Sequence, residues 1–162
     1  MIYIKNNKIK VKVFNKKDLD KYIEDKHENN SIVITITNRG REQITINKNK
    51  RNKIINDICL QFNIITPASP CYGAIRDKEI NDFISFIKKN IKEENNIKRI
   101  IVSSEYGIIG ALYIAIVIMN YLNLEEQLEK LLENETYRLY FKKSNYNYIK
   151  LTKAFDKEKE KK

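Results

Sequence analysis

Tryptophan is absent, histidine occurs once among 10 tyrosines and 6 phenylalanines, and glycine occupies only 4 of the 162 positions. Proline and cysteine occur 2 times each. Each scarcity removes a class of answer. Cys59 and Cys71 have neither metal-site spacing nor enough partners for a disulfide framework. Cys59 falls in an apolar stretch and is expected in the core, whereas Cys71 follows Pro70 in a loop. His27 has no second histidine to share a metal with, and is expected at a helix end on the surface. The residues therefore point to no metal and no cofactor. Few glycines and prolines exclude linker-like and collagen-like chains. The opening MIYIKNNKIKVKVF lacks an apolar leader core, which predicts a cytoplasmic protein. The apolar run 108–122 is short for a membrane span and contains Tyr113, Asn120 and Tyr121, so no membrane segment is expected.

What is present is lysine, asparagine and isoleucine in excess, the composition that an AT-rich coding sequence imposes. Hydrophobic residues make up 42% and charged residues 32%, which is the balance of a globular chain long enough for a real core. The formal charge of +10 favours anionic partners in general. Lysine far outnumbers arginine, however, and arginine is the better reader of phosphates and bases. The charge is weak evidence for nucleic acid.

Periodicity organises the chain. Residues 1–14 alternate apolar and polar about Asn6 and Asn7, predicting a hairpin or two short strands. Asn15 or Asp18 is placed to cap a helix that turns Leu19, Tyr22 and Ile23 inward. The β-branched run 32–36 (IVITI) predicts a central strand, residues 44–46 an edge strand, and Ile58, Leu60 and Phe62 another strand. Residues 63–76 hold both prolines and read as a loop. Asp77 is the expected N-cap of a helix whose inner stripe is Ile80, Phe83, Ile84, Ile87 and Ile91. A strand at 100–102 and a helix at 107–122 follow; that helix is apolar nearly all round and should be central. Residues 124–132 form an amphipathic helix, and the tyrosine-rich 137–155 ends in a short one. Strands alternating with helices predict an α/β fold with a central, mainly parallel sheet flanked by helices. One domain over 1–155 and a charged tail at 156–162 are expected.

The most informative stretch is 98–122, KRIIVSSEYGIIGALYIAIVIMNYL. A strand that turns tightly about Gly107 into a helix N-terminus is where backbone N–H groups and the helix dipole converge on anions. IVSSEYGIIGALYIAIVI resembles the signature segment of cysteine-dependent tyrosine and dual-specificity phosphatases of the small bacterial type, V-H-C-E-x-G-x-S-R-S followed by a helix rich in small residues. Elsewhere SIVITITNRG resembles an early strand and turn of that family, and ICLQFN the strand before its general-acid loop. INDFISFIKKNI is similar to the helix before the signature, and NYNYIKLTKAF to the closing segment. The resemblance implies a phosphatase-like fold and an anion-binding loop comprising Ser103, Ser104, Glu105, Tyr106, Gly107, Ile108, Ile109 and Gly110. Within it Glu105, Gly107 and Ile108 keep the pattern.

The chemistry does not survive the match. Ser104 stands at the position of the nucleophilic cysteine, Ser103 at that of the histidine, and Gly110 at that of the phosphate-clamping arginine. Ile109 and Ala111 replace the flanking serines, and the general acid falls near Asn63. A serine hydroxyl stays protonated at neutral pH and needs a base, which neither Ser103 nor Tyr106 supplies. Glu105 is expected to point away, as the family's glutamate does. Without arginine the loop loses charge-assisted bonds worth roughly 1.5–3 kcal/mol each, and transition-state stabilisation with them. Asparagine cannot protonate a leaving group. The reading is a pseudophosphatase: a binding or regulatory module for a protein partner or phosphorylated ligand, with at most weak phosphate affinity.

Two other readings stay open. One is a hydrolase that uses unrecognised residues. The other is a basic nucleic-acid binder, in which Lys48, Lys50, Arg51 and Lys53 meet the phosphate backbone. Tyr137, Tyr140, Tyr146 and Tyr148, interleaved with Arg138, Lys142, Lys143 and Lys150, would then stack on bases. Core packing explains those tyrosines equally well, and Asp77 is better read as a helix cap than as a substitute acid.

Overall fold

A computed structural model describes residues 9–25, 30–37, 54–62, 74–92, 95–105, 107–141 and 146–161. Its centre is a parallel sheet of four strands in the order β1-β4-β2-β3, with β1 at Lys10–Asn15, β2 at Ser31–Thr37, β3 at Ile54–Gln61 and β4 at Arg99–Ser104. The α/β fold expected from the alternation of periods is thus present, and every pairing is parallel. β2, the IVITI strand, is internal and buried at every residue. β4 is inserted between β1 and β2, so the 98–122 stretch occupies the middle of the molecule.

Alternation divides the sheet into two faces. One carries Val11, Ile32, Ile34, Ile36, Leu60, Ile100 and Val102 into the main core. Helix α2 (Asp77–Asn90) packs Ile80, Phe83 and Ile87 onto it, α3 (Ile109–Tyr121) brings Ala111, Ile114, Ala115 and Ile118, and α6 (Tyr146–Glu160) brings Leu151 and Phe155. The other face has a small cluster of Val33 and Ile101 under Leu19 of α1 (Lys16–Asp25), with Phe14 and Tyr22 packed beside them. The rest of that face is polar: Ser31, Thr35, Thr37 and Ser103 are all buried.

Local rules account for the boundaries. The Asn15 side chain accepts the Asp18 N–H at 2.8 Å, so Asn15 caps α1. Asp77 is not a cap: Arg76 holds that position without a side-chain bond, and Asp77 is the first helical residue, paired with Lys150 at 3.0 Å. The inner stripe of α2 also includes Phe86, while Ile84 is half-buried. α3 is buried continuously from Gly110 to Met119, as a helix apolar on every side must be. It ends at Asn123, which takes φ 58° while Leu124 N–H reaches back to the Met119 carbonyl at 2.9 Å. α4 (Glu125–Leu132) and α5 (Glu135–Phe141) follow. The C-terminal segment departs from expectation. Its helix is long, α6 continues through Glu160, and residues 156–160 of the expected tail form its last turn. Glu158 there is bonded to Lys88 of α2 at 2.6 Å, and Lys159 donates to the Asn120 carbonyl at the end of α3 at 2.7 Å. Cys59 is half-buried on the polar face rather than in the main core. The proposed strands at 1–8 and 44–46, and most of the 63–76 loop, lie outside the described residues.

Candidate functional site

The β4–α3 junction lies at the carboxyl end of an internal parallel strand, the place where open α/β sheets collect ligands. In register, Ser104 is level with Asn15 of β1 and Ile36 of β2. The ladder runs one residue further, since Glu105 N–H donates to the Ile36 carbonyl at 3.0 Å. That amide is committed to the sheet. Glu105 therefore does not give its N–H to an anion loop, contrary to the sequence reading. Its carboxylate accepts a hydrogen bond from the Thr37 hydroxyl on the neighbouring strand.

The turn itself is made by Gly107 at φ +73°, with open space where a Cβ would stand. Its carbonyl faces back and accepts the Ser104 hydroxyl at 2.6 Å. Ser104 is fully buried, so its proton is held inside the loop by a group that cannot take it. Ile108 precedes α3 without a side-chain cap, and no acidic residue lies in the first turn. The first bond from within the helix is Leu112 N–H to the Ile108 carbonyl at 2.9 Å. The N–H groups of 109–111 carry the positive end of the α3 dipole by helix geometry alone. Gly110 and Ala111 are buried, and Ile109 packs against the core. The positions that would face a phosphate in the resemblance are taken up in packing.

Of the other expected residues, Ser103 lies on the opposite face of β4 from Ser104. It is fully buried, and its hydroxyl has no hydrogen-bond partner among the described residues. Tyr106, Asn63, the basic group Lys48, Lys50, Arg51 and Lys53, and also His27 and Cys71, lie outside the described residues. Tyr148 stacks on Tyr113 with ring centroids 5.0 Å apart, and packs against the core instead of forming an open platform. Tyr137 and Tyr146 are half-buried, and Lys150 is turned to Asp77 and the Ile75 carbonyl.

Two residues that sequence reasoning passed over carry long-range polar contacts. Asn147, buried in α6, accepts the Ile75 N–H at 2.7 Å and anchors the approach to α2. Gln127 of α4 accepts the Val11 N–H at 2.9 Å and donates to the Ile9 carbonyl at 2.6 Å, imitating one residue of a neighbouring strand. An asparagine between two tyrosines was a faint signal for the first; nothing local announced the second.

Among the described residues, no group of three or more histidine, cysteine, aspartate or glutamate side chains is placed to hold a metal, and no helix is long and apolar enough to cross a membrane. No family model, no curated protein and no solved structure matches the chain.

Proposed function

We propose that the chain is a catalytically inactive, phosphatase-like binding or regulatory module, with at most weak anion affinity at the loop 103–110. One observation carries this reading: the Ser104 hydroxyl spends its proton on the Gly107 carbonyl of its own loop. A hydrolase nucleophile needs the reverse arrangement, with a base accepting its proton and a thiolate or alkoxide aimed outward. The Glu105 carboxylate, which could have served as a base, is engaged by Thr37. An inward carbonyl also opposes an incoming phosphate oxygen, so what attraction remains comes from the first turn of α3.

The test is hydrolysis of an aryl phosphate, together with binding of inorganic phosphate followed by amide chemical shifts. Turnover is expected to stay at background, and phosphate shifts, where seen, to be confined to residues 108–112 with millimolar affinity at best. Turnover abolished by Ser104→Ala would refute inactivity. Tight phosphate binding outside the loop would refute its location.

A further inference from the structure

A concavity among the described residues lies away from the β4–α3 loop. It is a cleft of about 560 Å³ beside the outer edge of β1, closed by the C-terminal part of α3 and by α4 and α5. Lys10 and Lys12 are level with Arg99 and Ile101 in the sheet, five and three residues before the Ser104 level, so the two sites lie roughly 10–16 Å apart along the strands. We infer that this cleft is a binding site for a small amphipathic organic anion, a carboxylate carried on an apolar chain or ring. The inference is independent of the reading proposed for the loop.

Its floor is apolar: Val11, Met119 and Leu124 are buried, and Leu131 is half-buried at the side. Met119 contributes an unbranched thioether that adapts to irregular apolar guests. Lys10, Lys12 and Lys130 stand on the rim with exposed side chains, opposed by a single carboxylate, Glu126. Among the described residues none of these lysines is engaged in an ion pair.

The remaining polar groups narrow the choice. Both ends of the Gln127 side-chain amide are occupied by Val11 and Ile9 backbone groups, and the Asn134 side-chain Oδ1 already accepts the Tyr137 N–H at 3.1 Å. What the rim has left to offer is chiefly N–H donors and positive charge, which suit a carboxylate and repel a cation. The volume falls in the range of small-molecule sites, and the lining joins an apolar floor to a charged and polar rim, as an amphipathic guest requires.

Decanoate is a suitable probe, with decanol and decyltrimethylammonium as the uncharged and cationic controls. Spectra of the full chain carrying labelled methyl groups should show saturable shifts at Met119, Leu131 and Val11 with decanoate. Both controls should bind more weakly, and added salt should weaken decanoate. Lys12→Glu and Lys130→Glu, both changes at exposed side chains, should each reduce decanoate affinity by about three- to tenfold, with folding checked by the unperturbed core methyl signals. Leu131→Asn should reduce affinity for all three probes. The absence of saturable shifts at these methyl groups overturns the site. Equal binding of the three probes, or no effect of either charge reversal, overturns its preference for anions.

Discussion

At the scale of single residues, Ser104 and Gly107 determine what the β4–α3 turn can do. Removing the Ser104 hydroxyl leaves the Gly107 carbonyl without its donor, so Ser104→Ala should lower stability by about 1–2 kcal/mol, read as a shift in urea midpoint. An unchanged midpoint would mean that the bond has no structural weight. Gly107→Ala meets no atom but forces a Cβ into left-handed backbone, and should cost roughly 1–2 kcal/mol. Elsewhere among the described residues the left-handed positions Asn30, Asn96 and Asn123 are all asparagines, the one abundant residue here that tolerates this conformation. The chain's poverty in glycine and its wealth in asparagine are two sides of one local solution. The failed reading of Asp77 is also residue-sized: capping depends on which residue leaves helical geometry last, and Arg76 does so with extended backbone.

At the scale of elements, α3 and α4 contrast. Burial of α3 on every side was legible because ten consecutive residues offer no polar face; only Asn120 and the helix ends reach other surroundings. Ile114→Ala should therefore cost about 2–5 kcal/mol, measured by denaturation, with the value set by how far the sheet and α6 close over the cavity. α4 was legible as an amphipathic helix, yet none of its residues is buried, and its main bond to the sheet runs through Gln127. That side chain covers two groups on an edge strand, where bare N–H and C=O groups recruit other strands. Gln127→Ala should raise the tendency to self-associate, seen as concentration-dependent light scattering. A variant that stays monomeric at every concentration would show that the edge is protected by other means. No periodicity points to Gln127, because its partners lie 116 and 118 positions away in the chain.

At the scale of the molecule, α6 ties the ends of α2 and α3 together, and its bonds should give stability a characteristic pH profile. A hydrogen bond from Lys88, partly opposed by burial, holds the Glu158 carboxyl below its ordinary value of 4.5. The same bond and the glutamate's charge raise Lys88 above 10.5. A carboxyl depressed in the folded state stabilises fully above the ordinary carboxylate range, and that contribution is lost as pH falls through the depressed value. The stability gap between the wild type and Lys88→Met should therefore be present at neutral pH and shrink in acid. A gap that is constant from neutral to strongly acid pH would exclude this linkage. On the alkaline side, burial raises Tyr121 and Tyr148 above 10.0. Since a raised folded value favours the protonated form, stability should fall as pH rises beyond 10.0. Tyr148→Phe should blunt that fall.

Periodicity and residue type by themselves determined the α/β class, the internal IVITI strand, the inner stripe of α2, the buried helix after Gly107 and the absence of thiol and guanidinium from its turn. Those features depend on contacts between near neighbours in the chain and on the partition of apolar side chains from water, which a linear pattern records. Tertiary structure alone decided the strand order, the length of α6, the engagement of Ser104 with Gly107, the tether of Glu105 to the next strand, and the cleft beside β1. Each of these joins groups through backbone geometry or across distant segments, and a hydrogen bond between remote positions leaves no periodic trace in a single sequence.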